Sequence, residues 1–126
     1  LERRIDVCPD PTGAARKTAG VGLTDHAILR KAGLRVSPPK SPWKIRDKVN
    51  CVNTAILDST GARRLKIHPS CRETIKSLRT LVYDQSGLPN KKLGVDHMFD
   101  ALGYLCLMKF NLNKSGKPGG TDFRVW

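Results

Sequence analysis

Four side chains in this 126-residue sequence have the types and spacing that binding a hard divalent cation requires: Asp10, Asp96, His97 and Asp100. Three of them crowd into the start of one segment, Lys91-Lys92-Leu93-Gly94-Val95-Asp96-His97-Met98-Phe99-Asp100-Ala101-Leu102-Gly103-Tyr104. Carboxylate oxygens with a single imidazole suit Mg²⁺ or Mn²⁺ better than a structural zinc. Two such ions can hold both the attacking and the leaving oxygen of a phosphodiester displacement. An imidazole at position 97 serves equally as a ligand or as a proton shuttle. Each residue also has a plainer reading: Asp10 as a turn former between Pro9 and Pro11, Asp96 as a helix N-cap, His97 as a surface histidine, Asp100 as a solvated helix residue.

The charge balance gives the acidic groups a context. Lys and Arg number 23 against 11 Asp and Glu, a formal charge of +12. Such a field gathers polyanions, with nucleic acid the first candidate, and the acids then recruit the metal that acts on it. From Arg30 to Lys48 there are seven basic residues and one acid. Lys44, Arg46 and Lys48 in that run, with Arg63 and Arg64 beyond it, are the candidates for phosphate contact. Trp43 is the one aromatic in the run, so base stacking is not the expected binding mode. No apolar run approaches the roughly 18 residues of a membrane span and no signal-peptide pattern is present, so a membrane partner is not expected. Cys8, Cys51, Cys71 and Cys106 form no C-x-x-C pair, which reads as free thiols in a reducing compartment rather than a zinc site. The P-loop, G-x-S-x-G and H-E-x-x-H signatures are absent.

The elements that must position these groups follow from periodicity and punctuation. Arg4 to Cys8 reads as a strand that Pro9 and Pro11 terminate, leaving Asp10 at its C-terminal edge. Ala14 to Gly22 reads as a mobile loop. Thr24 caps a helix to about Lys31, Gly33 ends it, and Leu34 to Val36 is a second strand. Ser41, with Pro42 in the first position, is expected to cap a helix whose stripe is Ile45, Val49, Val52 and Ile56, leaving Lys44, Arg46, Lys48, Asn50 and Asn53 on its surface. Arg63 to His68 is a third strand. Pro69 or Ser70 opens a helix carrying Ile75, Leu78, Leu81 and Val82, and the last helix runs from the Asp96 segment to about Phe110. At about 100° per residue, Asp96, His97, Asp100 and Tyr104 share one face of that helix. Met98, Ala101, Leu102, Leu105 and Cys106 would then form the core-facing side. Residues 1–110 read as one α/β domain with a mostly parallel sheet in three layers, and 111–126 as a flexible tail. No internal repeat is evident.

Four segments in order carry a resemblance: Asp10-Pro11-Thr12-Gly13-Ala14-Ala15-Arg16-Lys17, Arg46-Asp47-Lys48-Val49-Asn50-Cys51-Val52-Asn53, Gly61-Ala62-Arg63-Arg64-Leu65-Lys66-Ile67 and Asp96-His97-Met98-Phe99-Asp100-Ala101-Leu102-Gly103-Tyr104. Together they resemble the C-terminal nuclease domain of tailed-bacteriophage terminase large subunits, over about residues 4 to 110. The resemblance implies a ribonuclease-H-like fold, two Mg²⁺ or Mn²⁺ ions, and metal-dependent endonuclease cleavage of concatemeric double-stranded DNA. It places Asp10 at the family's second acid and Asp96, His97 and Asp100 at its last motif, leaving open which of those three touches metal directly. The family's first acid has no counterpart here, which implies a fold truncated at its N-terminal strands. Implied partners are a terminase ATPase domain, the small terminase subunit and the portal protein, in the host cytoplasm. The rival reading is a basic DNA-binding or docking module without chemistry.

Overall fold

Short apolar runs cut by proline and glycine produce short elements. A computed structural model describes residues 4–15, 22–110 and 123–125, the last group by backbone alone. The chain divides into two compact units, Leu1–Trp43 and Lys44–Trp126. Both are mixed α/β with parallel strand pairing.

In the first unit, β1 (Asp6–Val7) pairs in parallel with β2 (Arg35–Val36), Asp6 opposite Arg35 and Val7 opposite Val36. Parallel neighbours need a crossover, supplied here by a 3-10 turn over Pro11–Ala14 and by α1 (Asp25–Lys31). The α1 start is the expected one: Thr24 Oγ1 accepts from the Ala27 amide at 3.2 Å. Asp25 in its first turn and Arg30 and Lys31 in its last complement the helix dipole. Gly33, at φ 85°, turns the chain into β2. The strand expected over Arg4 to Cys8 keeps two residues, because Pro9 and Pro11 withdraw ladder donors. Most of the loop expected over Ala14 to Gly22 lies outside the described residues.

The second unit comprises α2 (Ile45–Ile56), β3 (Leu65–Ile67), α3 (Arg72–Thr80), α4 (Asp96–Phe110) and β4 (Phe123–Val125). Three expectations change here. Helix α2 starts after Lys44, which is extended at φ −62°, ψ 142°, and the Asp47 and Lys48 amides close on its carbonyl. Ser41 and Pro42 therefore precede the helix rather than open it. Helix α3 stops at Thr80, so Leu81 and Val82 lie beyond it. Phe123–Val125, inside the segment read as a tail, forms β4 and pairs in parallel with β3, Leu65 opposite Phe123. Its apolar-basic-apolar alternation matches Leu65-Lys66-Ile67 across the ladder. Residues 111–122 lie outside the described ones.

The core of this unit is α2 against α4. Val49, Cys51, Val52 and Ala55 meet Phe99, Leu102, Tyr104, Cys106 and Leu107, all buried. The expected division of α4 holds only in part. Of its polar face Asp96 and Tyr104 are buried, Asp100 is half-buried and His97 is exposed, while Met98 and Ala101 of the expected core side are exposed. Leu102 and Cys106 are buried as expected. The reason is a close helix crossing. A Cβ on Gly103 would sit 2.8 Å from Lys48 Cβ, so only glycine admits the Lys48 stem there. Lys48, expected on the surface of α2, is 6% exposed and packs over Gly103.

One local pattern does recur. Asp10-Pro11-Thr12-Gly13, Asp58-Ser59-Thr60-Gly61 and Asp84-Gln85-Ser86-Gly87 fold into the same turn. In each, Asp Oδ1 accepts from the amide of the Ser or Thr two residues on (2.8, 2.9 and 2.8 Å). It also accepts from that residue's hydroxyl, at 2.6 Å in all three. The glycine amide then bonds back to the Asp carbonyl. This is a side-chain mimic of a backbone turn, repeated as local chemistry rather than as a domain.

Candidate functional site

The four predicted metal ligands occupy different settings. Asp10 belongs to the first unit; Asp96, His97 and Asp100 belong to the second. Among the described residues no group of three or more His, Cys, Asp and Glu side chains is placed to hold one ion.

Asp10 precedes the 3-10 turn and is exposed. Its Oδ1 is engaged by Thr12, as Asp58 and Asp84 are by Thr60 and Ser86, so turn formation accounts for its local geometry. The carboxyls of Asp58 and Asp84 are held below their ordinary pKa, first by those hydroxyls and then by the amides of Ala62 and Leu88. What distinguishes the Asp10 turn is a residue that the pattern of acids did not reveal. His26 of α1 is 2% exposed, and its Nε2 donates to the Asp10 carbonyl oxygen at 2.9 Å. Its spacing of three from Leu29 is the sequence signal that puts it on the helix's inner side.

Asp100 is not the solvated residue of the plainer reading. Its Oδ1 accepts from Lys48 Nζ at 2.7 Å, with the Lys48 side chain 7% exposed and that of Asp100 34%. The same ammonium lies 4.7 Å from the centroid of the Tyr104 ring. Lys48, Asp100, Gly103 and Tyr104 thus form a lock between α2 and α4. The signal for it was present: Lys48 falls on the apolar stripe, three residues after Ile45 and four before Val52.

Asp96 contrasts with both. It is 7% exposed, and among the described residues its side chain has no hydrogen-bond or ion-pair partner. No fully buried side-chain nitrogen or oxygen lacks a partner among those residues, so the Asp96 oxygens reach solvent. The N-terminal end of α4 adds about 0.3–1 kcal/mol in favour of the charged carboxylate. Its oxygens are of the donor type that a hard cation such as Mg²⁺ or Mn²⁺ takes. Val95 is fixed just upstream, its carbonyl accepting from Ser77 Oγ. His97, the next residue, is exposed.

Comparison with protein-family models, with characterised proteins and with solved structures finds no match. The site therefore stands on its own geometry.

The basic candidates divide in the same way. Lys44, Arg46 and Arg63 are exposed. Arg46 also reaches the Ser86 carbonyl at 3.4 Å. Arg64 is half-buried and its Nη2 lies 3.1 Å from Asp58 Oδ2, while Lys48 is spent on Asp100. Three of the five remain open to a phosphate backbone. No helix among the described residues is long and apolar enough to cross a membrane.

Proposed function

We propose that this chain is a nuclease module that cleaves double-stranded DNA with Mg²⁺ or Mn²⁺, of the ribonuclease-H-like type found in terminase large subunits. The observation that carries the reading is Asp96: a carboxylate sunk at a helix start, without a described protein partner, in a chain of charge +12. In this account Asp96 and Asp10 are metal-binding carboxylates, and His97 is a further ligand or moves a proton. Asp100, one helical turn on, ties α4 to α2 through Lys48. Bound metal would supply Lewis-acid stabilisation of the phosphate and an activated water. Lys44, Arg46 and Arg63 hold the DNA backbone. Two ions, docking to an ATPase domain, small terminase subunit and portal protein, and a setting in the host cytoplasm belong to the same proposal.

The test is nicking of supercoiled plasmid by the purified chain in Mn²⁺, compared with Asp96→Asn. Loss of nicking in the variant, with DNA affinity retained, is expected; nicking that survives the substitution contradicts the reading. A second reading, a basic DNA-binding or docking module without chemistry, is favoured by the absence of a three-ligand group among the described residues. It requires DNA affinity that falls steeply with salt and responds to Mn²⁺ only through ionic strength.

A further inference from the structure

We infer that Tyr83 and Lys92 form a subsite for one unstacked nucleotide of a single strand, the Tyr83 ring taking the base and Lys92 a flanking phosphate. The subsite needs no metal and serves a chain that cuts DNA and one that only binds it alike. Trp43 is the one aromatic inside the basic run, and the fold brings another beside that run from outside it. Tyr83 is 56% exposed, and Asn53 Nδ2 donates to its hydroxyl at 3.2 Å, tying the far end of the ring to α2. With Gln85, Asn90 and Lys92 it lines an open hollow of about 670 Å³, inside the range of about 300–1,000 Å³ usual for small-ligand sites.

The loop that carries the ring is already closed. Tyr83 bridges Pro89 in antiparallel fashion; the Asp84 amide donates to the Leu88 carbonyl at 2.7 Å and the Asn90 amide to the Val82 carbonyl at 2.8 Å. Little backbone is left to order when a base stacks, which favours binding. Asp84 is the one acid lining the hollow, and its Oδ1 is committed to the Ser86 hydroxyl and the Ser86 and Leu88 amides. Cations surround it. Lys91 and Lys92 are exposed on the turn that Asn90 Oδ1 caps, and Arg46 donates to the Ser86 carbonyl at 3.4 Å. That surplus of positive charge beside an aromatic face matches the phosphate and base of a nucleotide. A duplex hides the faces of its bases in the stack, so the strand that can use an exposed ring is a single or splayed one.

The experiment measures fluorescence anisotropy of labelled strands with the whole chain, in chelator so that nothing is cut. The strands are a short oligothymidylate, an abasic strand with the same number of phosphates, and a duplex. Tyr83→Leu should weaken oligothymidylate binding by about 5–100-fold while leaving the abasic strand and the duplex within about threefold of wild type. Tyr83→Phe, which keeps the ring, should stay within about threefold on all strands. Lys92→Gln should reduce the slope of log affinity against log salt by about 0.7 for the single strand. A folded Tyr83→Leu with wild-type affinity for oligothymidylate overturns the inference, as does an equal loss on the abasic strand. Where Tyr83→Leu does not fold, wild-type protein that binds the abasic strand as tightly as oligothymidylate overturns it. Failure to bind any of the strands overturns the nucleic-acid partner of the proposed function and this subsite with it. Duplex binding with no effect of Tyr83→Leu on oligothymidylate removes the subsite alone.

Discussion

The two ends of the Lys48–Asp100 pair should differ in what their removal costs. The ammonium is nearly sealed, with the side chain 7% exposed, whereas the carboxylate is 34% exposed. A hydrogen bond to a charged group contributes about 1.5–3 kcal/mol net, and a cation over an aromatic ring about 0.5–2 kcal/mol. Lys48→Met keeps the stem packed over Gly103 and leaves a carboxylate that rehydrates through its open side. A loss of about 1–2 kcal/mol is expected, toward the lower end of the paired terms because one partner is solvated. Asp100→Ala strands the ammonium in the α2–α4 interface, and breaking a buried pair from that side costs about 3–5 kcal/mol. The Tyr104 ring at 4.7 Å offsets part of this, so about 3 kcal/mol is expected. Guanidinium unfolding followed by far-ultraviolet circular dichroism, at unchanged slope, measures each. The double variant should be more stable than Asp100→Ala alone, since removing the ammonium removes the stranded charge. Lys48→Met costing as much as Asp100→Ala, or simple additivity in the double variant, would refute the reasoning.

Gly103→Ala should destabilise by about 1–3 kcal/mol in the same assay, despite the better helix propensity of alanine, because its Cβ would meet the Lys48 Cβ, Cγ and Cδ at 2.8–3.0 Å. Asp58 has a folded pKa below its unfolded one, chiefly through the Thr60 hydroxyl, so its contribution is present above the unfolded value and is lost as pH falls through the folded one. The stability difference between wild type and Asp58→Asn should therefore hold at neutral pH and close under strong acid, as read by thermal melts across that range. Burial pushes the Cys51 thiol up to about 11 and the Cys106 thiol up to about 12. A disulfide reagent at pH 8 should accordingly leave both unmodified in the native chain and label them only on unfolding.

Much of the fold was legible because its signals are local. Thr24, Gly33 and the stripe of α2 each act within a few residues, and α1, β2 and α2 appear close to where these place them. The misread parts depend on partners that one segment cannot display. The helix from Asp96 has polar and apolar residues on every side, so its wheel alone put Asp96, Asp100 and Tyr104 outward. The crossing at Gly103, and a cation from α2 for Asp100, bring part of that face against α2. Lys48 was assigned to the surface by type although its position lay on the apolar stripe, and in this case position outweighed type. At the candidate site the residue types marked Asp10, Asp96, His97 and Asp100 alike. What separates them is Thr12 and His26 around Asp10, Lys48 on Asp100, and the lack of a described partner for Asp96.

The central claim is that Asp96 holds a divalent cation. Crystals of the chain soaked in Mn²⁺, with anomalous data collected near the manganese edge, test it directly. The account predicts a manganese peak coordinated to an Asp96 carboxylate oxygen and absent in Asp96→Asn crystals. Manganese bound elsewhere on the chain, with no peak at Asp96, would contradict it.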